Sequence, residues 1–243
     1  NVEDVFTKHL PDVIINTAAM TNVDACETDR EACWLMNATA VENQVRVLET
    51  LKQNNKNYNP HFIHLSTDFI FDGSHGPLDE NETPNPLSYY AESKLAAEKT
   101  VQASNLDWSI ARTVLVFGIV DNMSRSNIVL WVKSNLEQGK TINVVDDQFR
   151  TPTLAEDLAD GCILIAEKRA KGIYNISGKD YFSILELANT VADYYGLDKS
   201  LIKPSKSADI KQPAKRPPIT GFIIDKAVEE LGYNPHSFKE GIQ

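Results

Sequence analysis

The chain has 243 residues, 42% of them hydrophobic and 24% charged, with 34 acidic against 24 basic side chains and a formal net charge of -10. That length holds one domain with an added lobe, or two small ones. The acidic balance excludes nucleic acid as the main partner, and no apolar run reaches the ~20 residues a membrane span needs. Cys26, Cys33 and Cys162 have neither metal nor disulfide spacing and read as ordinary small residues of a protein in a reducing cytoplasm. No secretory leader is visible, and because the sequence opens on Asn1 rather than Met its true start is expected upstream.

In chain order, residues 2–10 read as the end of a helix and residues 11–16 as a buried strand. Residues 31–52 carry Trp34, Leu35, Ala38, Val41, Val45, Leu48 and Leu51 at helical spacing, which predicts one long helix. The run Phe62-Ile63-His64-Leu65-Ser66 predicts a buried strand ending at Thr67. A helix is predicted to start near Tyr90, and Trp108 to Val116 give a third strand. Strands alternating with helices imply βαβ units and a doubly wound, parallel α/β sheet. Beyond Phe117 the elements shorten: a helix over 126–138 stopping at Gly139, a strand over 142–145, a capping box at Thr153–Glu156, a strand over 173–176, and a second box at Ser183–Glu186. These breaks predict a smaller C-terminal lobe.

Chemistry concentrates at Tyr90 and Lys94. Residues at i and i+4 share a helix face, and a cation beside a phenol stabilises the phenolate and is expected to lower its pKa from about 10. Tyr90 is thereby a candidate proton donor to a carbonyl. Thr67 stands at the C-terminal end of the second strand, where a parallel sheet opens onto a crevice, and its hydroxyl can polarise the same carbonyl. A solvated helix face also carries such a pair by chance, so the layout around it matters. The five histidines show no metal spacing and read as surface or core residues, and no metal is expected. Ser66 lacks a G-x-S-x-G elbow, which disfavours an acyl-transfer hydrolase.

A strand, Ser66-Thr67-Asp68, an acidic and proline-rich loop, and then Tyr-x-x-x-Lys at a helix start resemble the extended short-chain dehydrogenase/reductases. Two segments are most similar to dTDP-4-dehydrorhamnose reductase and its sugar-nucleotide-binding relatives: Ser66-Thr67-Asp68-Phe69-Ile70-Phe71-Asp72-Gly73, and Asp146-Asp147-Gln148-Phe149-Arg150-Thr151-Pro152-Thr153. The resemblance implies a Rossmann-like fold divided into a cofactor-binding part, residues 1–120 with parts of 140–180, and a substrate lobe within 121–243. It implies NADP or NAD as cofactor, with NADPH favoured, a nucleotide-sugar substrate, and a homodimer in the cytoplasm. Tyr90 would protonate the keto oxygen, Thr67 would bond it, and Lys94 would hold the nicotinamide ribose. Ala18, Ala19, Asn37 and Ser66, with Tyr90 and Lys94, would line the cofactor, while Asp68, Arg150 and Arg216 would meet substrate.

The same resemblance marks departures. Met20 stands where a Tyr is usual and Arg150 where Gly is usual, and a guanidinium at the mouth of the site would grip a diphosphate in a forked geometry. Asn37 reads equally as a buried amide satisfying a helix irregularity, and Arg150 and Arg216 equally as solvated charges. The glycine-rich phosphate turn and first strand of a dinucleotide fold are not in the sequence, so roughly 40 residues are expected to precede it. Two alternatives stand beside the reductase. Epimerases and dehydratases share the Tyr and Lys, but dehydratases usually place Asp-Glu after the Thr, whereas Asp68 is followed here by Phe69. The regulatory subunit of methionine adenosyltransferase has a similar sequence and acts by binding a partner.

Overall fold

The computed structural model describes residues 2–119 and 126–243. The domain boundary expected at residues 120/121 lies outside the described residues. Helix α1 (Val2–His9) leads into strand β1 (Val13–Asn16), followed by α2 (Val23–Thr28) and α3 (Arg30–Trp34). A π-helical turn over Leu35–Thr39 joins α3 to α4 (Ala40–Asn54), so the predicted long helix exists with one irregular turn in it. Strand β2 (His61–Thr67), helix α5 (Tyr89–Ala103) and strand β3 (Asp107–Thr113) complete the first half.

The second half contains β4 (Val116–Phe117), α6 (Ile128–Glu137), β5 (Ile142–Val145), β6 (Phe149–Arg150), β7 (Thr153–Leu154), α7 (Ala155–Lys168), β8 (Gly172–Asn175), β9 (Phe182–Ser183), α8 (Ile184–Tyr195), β10 (Ile202–Ser205) and α9 (Phe238–Gly241). The strand expected to run to Val116 stops at Thr113, because Leu115 turns the chain with a left-handed φ of 41°. The capping box expected at Thr153 is not formed. Thr153 lies in β7, Leu154 occupies the cap position, and the Thr153 hydroxyl instead donates to the Val114 carbonyl at 2.7 Å. The Ser183–Glu186 box forms as predicted.

The main sheet runs β1-β2-β3-β8, all parallel, and is Rossmann-like. Side chains of neighbouring strand residues point to opposite faces. Accordingly Phe62 and Ile110 pack under α4 and α5 with Val45, Leu48 and Val101, while Ile63 and Ala111 pack on the other face with Leu158, Ile165 and Tyr233. Helices on both faces explain why β2 is buried almost throughout. Burying each such large side chain contributes about 1.5–3 kcal/mol. A separate core of Val129, Val132, Leu136, Leu187, Val191 and Phe238 joins α6, α8 and α9 in the smaller lobe.

Candidate active site

The C-terminal end of β2 and the N-terminal turn of α5 meet at one cavity of about 530 Å³. The β2 backbone delivers Leu65, Ser66 and Thr67 to its wall, and Ser88 caps α5 by accepting from the Ala91 N–H, which fixes where Tyr90 and Lys94 emerge. Thr67, Tyr90 and Lys94 all line this cavity, as do Ala19, Ser66, Asp68, Arg150 and Arg216. Two expected residues do not. Ala18 is exposed beside it, and Asn37 is fully buried behind it.

Asn37 sits inside the π-helical turn. Its Oδ1 accepts from the Met20 N–H at 2.7 Å, and its Nδ2 donates to the Met20 carbonyl at 3.1 Å and to Ser93 at 3.0 Å. Asn37 thereby pins the loop after β1 to α5, and the amide is satisfied as burial requires.

Lys94 donates to the Leu65 carbonyl at 2.7 Å and lies 3.3 Å from His64 Nε2. Burial brings its ammonium down to about 8, with the Glu98 carboxylate opposing the shift. Tyr90 behaves contrary to the sequence expectation. Burial pushes its phenol above the ordinary value, the Thr67 hydroxyl acts against the rise, and the Asp68 carboxylate adds to it. The physical reason is direction: Lys94 turns its N–H groups to β2, so the phenol experiences desolvation in place of a neighbouring cation.

Thr67 uses its hydroxyl locally, donating to Asp68 Oδ1 at 3.2 Å and accepting from the Phe69 N–H at 3.2 Å. Asp68 is buried and also accepts from the Thr220 hydroxyl. Its second oxygen lies 3.5 Å from Arg150 Nε. Burial raises the Asp68 carboxyl while Arg150, Thr220 and Thr67 hold it down. Arg150 is itself buried under the Phe69 ring and donates to the carbonyls of Phe149, Pro217 and Pro218. The free fork expected at the mouth of the site is thus engaged inside the protein. Arg216 grips Asp24 through two contacts of 2.8 and 3.2 Å.

Several site residues escaped the sequence reading. His64 read as one more core or surface histidine, Asn127 and Thr220 carried no motif of their own, and Gln148 stood within the Asp146–Thr153 segment without a role assigned to it. A polar residue three before Thr67 in an apolar strand was the available signal for His64. Among the described residues no cluster of His, Cys, Asp or Glu has metal-binding geometry, and no helix is long and apolar enough to cross a membrane.

A parallel Rossmann-like sheet with Thr, Tyr and Lys on one cavity wall is the architecture of the extended short-chain dehydrogenases/reductases. The chain belongs to the RmlD substrate binding domain family, which matches residues 1–243. It is similar to the probable low-salt glycan biosynthesis reductase Agl14 of Haloferax volcanii, with 28% identity over 99% of this chain and 79% of that protein. The methionine adenosyltransferase 2 subunit beta of Xenopus tropicalis is 31% identical over 80% of this chain and 58% of that protein. Among solved structures, the dTDP-4-dehydrorhamnose reductase of Bacillus anthracis in complex with NADP superposes with a TM-score of 0.88 and 26% identity, covering 99% of this chain and 82% of that one.

Proposed function

We propose that the protein reduces the 4-keto group of a nucleotide-diphosphate 6-deoxy sugar with NADPH or NADH. The observation that carries this reading is the convergence of Thr67, Tyr90 and Lys94 on one cavity. The nicotinamide half of a cofactor fits what is present: the Ser66 hydroxyl is buried on this wall without a hydrogen-bond partner, and Thr17 and Ala19 line the cavity beside it. Bound there, the cofactor supplies hydride to the carbonyl carbon.

The rest is the work of the chain. The raised phenol pKa keeps Tyr90 protonated at neutral pH, so it is loaded to give its proton to the carbonyl oxygen as negative charge develops there. Thr67 must rotate its O–H from Asp68 to bond that oxygen, a low-cost motion for a hydroxyl. Lys94 offers an ammonium N–H to the ribose and a positive charge near the developing alkoxide. On this reading residues 1–120, with parts of 140–180, serve the cofactor and residues within 121–243 the sugar nucleotide, in a cytoplasmic homodimer. NADPH oxidation on adding a dTDP-4-keto-6-deoxy sugar tests it; no turnover with any nucleotide-linked keto sugar counts against it.

The similarity to an adenosyltransferase subunit favours a second reading, a non-catalytic binding role. Stable association with a methionine adenosyltransferase together with absent turnover would select it. An epimerase or dehydratase activity is disfavoured by Phe69 following Asp68.

A further inference from the structure

Next to Lys94 runs a set of buried groups to which the proposed chemistry gives no task. His64 is fully buried on β2, with Nε2 3.3 Å from Lys94 Nζ and Nδ1 3.1 Å from the side-chain nitrogen Nδ2 of Asn16 on β1. Asn16 in turn meets the amide of Gln44 on α4 at 3.5 Å. Burial first, and the Lys94 charge second, hold the imidazole well below its ordinary pKa, so it is neutral.

A neutral imidazole has one N–H and one lone pair, while an ammonium has only N–H groups to offer. A charged Lys94 therefore requires the lone pair at Nε2, which leaves the proton on Nδ1 facing Asn16. Asn16 faces that nitrogen with Nδ2 and turns its Oδ1 to Gln44, so the charged pair requires the Asn16 amide, and the Gln44 amide with it, turned by about 180°, which interchanges the donor and acceptor ends of a planar amide. The reverse arrangement, with the proton on Nε2, demands a neutral amine at Lys94.

We propose that His64 is a positioning residue for Lys94: its Nε2 accepts from the ammonium, the turned Asn16 amide accepts its Nδ1–H through Oδ1, and together with the Leu65 carbonyl it leaves one ammonium N–H for the cavity. The inference rests on the reductase reading for why Lys94 must point there, though not for the contact itself. The charged and titratable groups around the pair are Glu98, one turn along α5 and bound bidentately by Arg112 of β3, Tyr90 one turn back, and Asp68 with Arg150 on the same cavity. The side chain that β1 sends to His64, Asn16, and the α4 side chain behind it, Gln44, are uncharged.

Nitrogen-15 NMR of the full chain tests this without turnover. The imidazole spectrum of the parent protein at neutral pH, assigned by the signal lost in His64→Gln, is expected to show the Nδ1–H tautomer. The Nε2–H tautomer would overturn the proposal, and this measurement needs no folded variant beyond the assignment. The Lys94 side-chain signal, assigned with Lys94→Met, gives the second reading. His64→Phe keeps ring volume without an acceptor and should move the loss of the ammonium to lower pH by about one unit, whereas His64→Gln should restore most of that shift. An unchanged Lys94 titration in His64→Phe overturns the proposal. Failure of the parent to oxidise NADPH would count against the reductase reading alone.

Discussion

Arg150 Nε stands 3.5 Å from Asp68 Oδ2 with both side chains buried, which ties the residue after Thr67 to the Pro217–Pro218 backbone that the same guanidinium binds. The C-terminal segment thereby braces the end of β2.

Removing one member of a buried pair leaves an uncompensated charge, so Arg150→Ala should cost about 3–5 kcal/mol. For a chain of this size that lowers Tm by roughly 6–20 °C. Pairing Arg150→Met with Asp68→Asn should recover much of the loss. Calorimetry checks the brace and steady-state kinetics checks the competing role: a stable Arg150→Ala protein whose nucleotide-sugar KM alone rises about tenfold or more would return Arg150 to the diphosphate.

Tyr90→Phe keeps the ring that meets Phe69 edge-on and deletes only the proton donor. Turnover should fall by ~10²–10⁴ while the cofactor Kd stays within a few-fold. Equal kcat in mutant and parent would remove Tyr90 from the proton path.

Lys94 has a definite pH signature. Its folded pKa of about 8 lies below the ordinary 10.5, so between those values the unfolded chain holds more protons and stability from this group rises with pH; below about 8 both states are protonated and its contribution is flat. Relative to Lys94→Met, the parent should gain up to roughly 3 kcal/mol between pH 8 and 10.5. Urea denaturation of both proteins across that window measures it, and parallel curves would mean that Lys94 is not held as an ammonium in a desolvated site. The same variant should also weaken cofactor binding, since the cavity loses its ammonium.

Arg216 and Asp24 are partly exposed, so Arg216→Gln should cost no more than about 1 kcal/mol of stability. Because Arg216 also lines the cavity, the KM of the nucleotide sugar should rise several-fold with kcat little changed. A KM equal to that of the parent would leave Arg216 as a loop tether alone.

The sheet was legible because its signals are local: the run Phe62 to Ser66 inside β2, and Tyr-x-x-x-Lys at the start of α5. Tyr90, Thr67 and Lys94 were legible through spacing. What could not be read was partnership across elements. Nothing in the spacing says that Lys94 turns to Leu65 and His64, that Arg150 finds three backbone carbonyls, or that the Thr153 hydroxyl is claimed by Val114 in place of a helix cap. The direction of the Tyr90 shift failed for the same cause, since it depends on which way a neighbour's N–H groups point.

The π-helical turn at Leu35–Thr39 gives its helix a place where a change of length can be absorbed. An α-helix advances about 100° per residue, and a π turn accommodates one residue beyond the α repeat. Deleting a single residue there would let ordinary helix re-form with the later side chains still facing as they do, so Val41, Val45 and Leu48 would keep the core they share with Phe62. What would be lost is the place of Asn37, which holds the Met20 backbone and Ser93. A one-residue deletion in the straight helix after Ala40 has no such turn to absorb it and would rotate the side chains beyond it by about 100°, so deletion scanning should find residues 35–39 more tolerant in stability than residues 41–48.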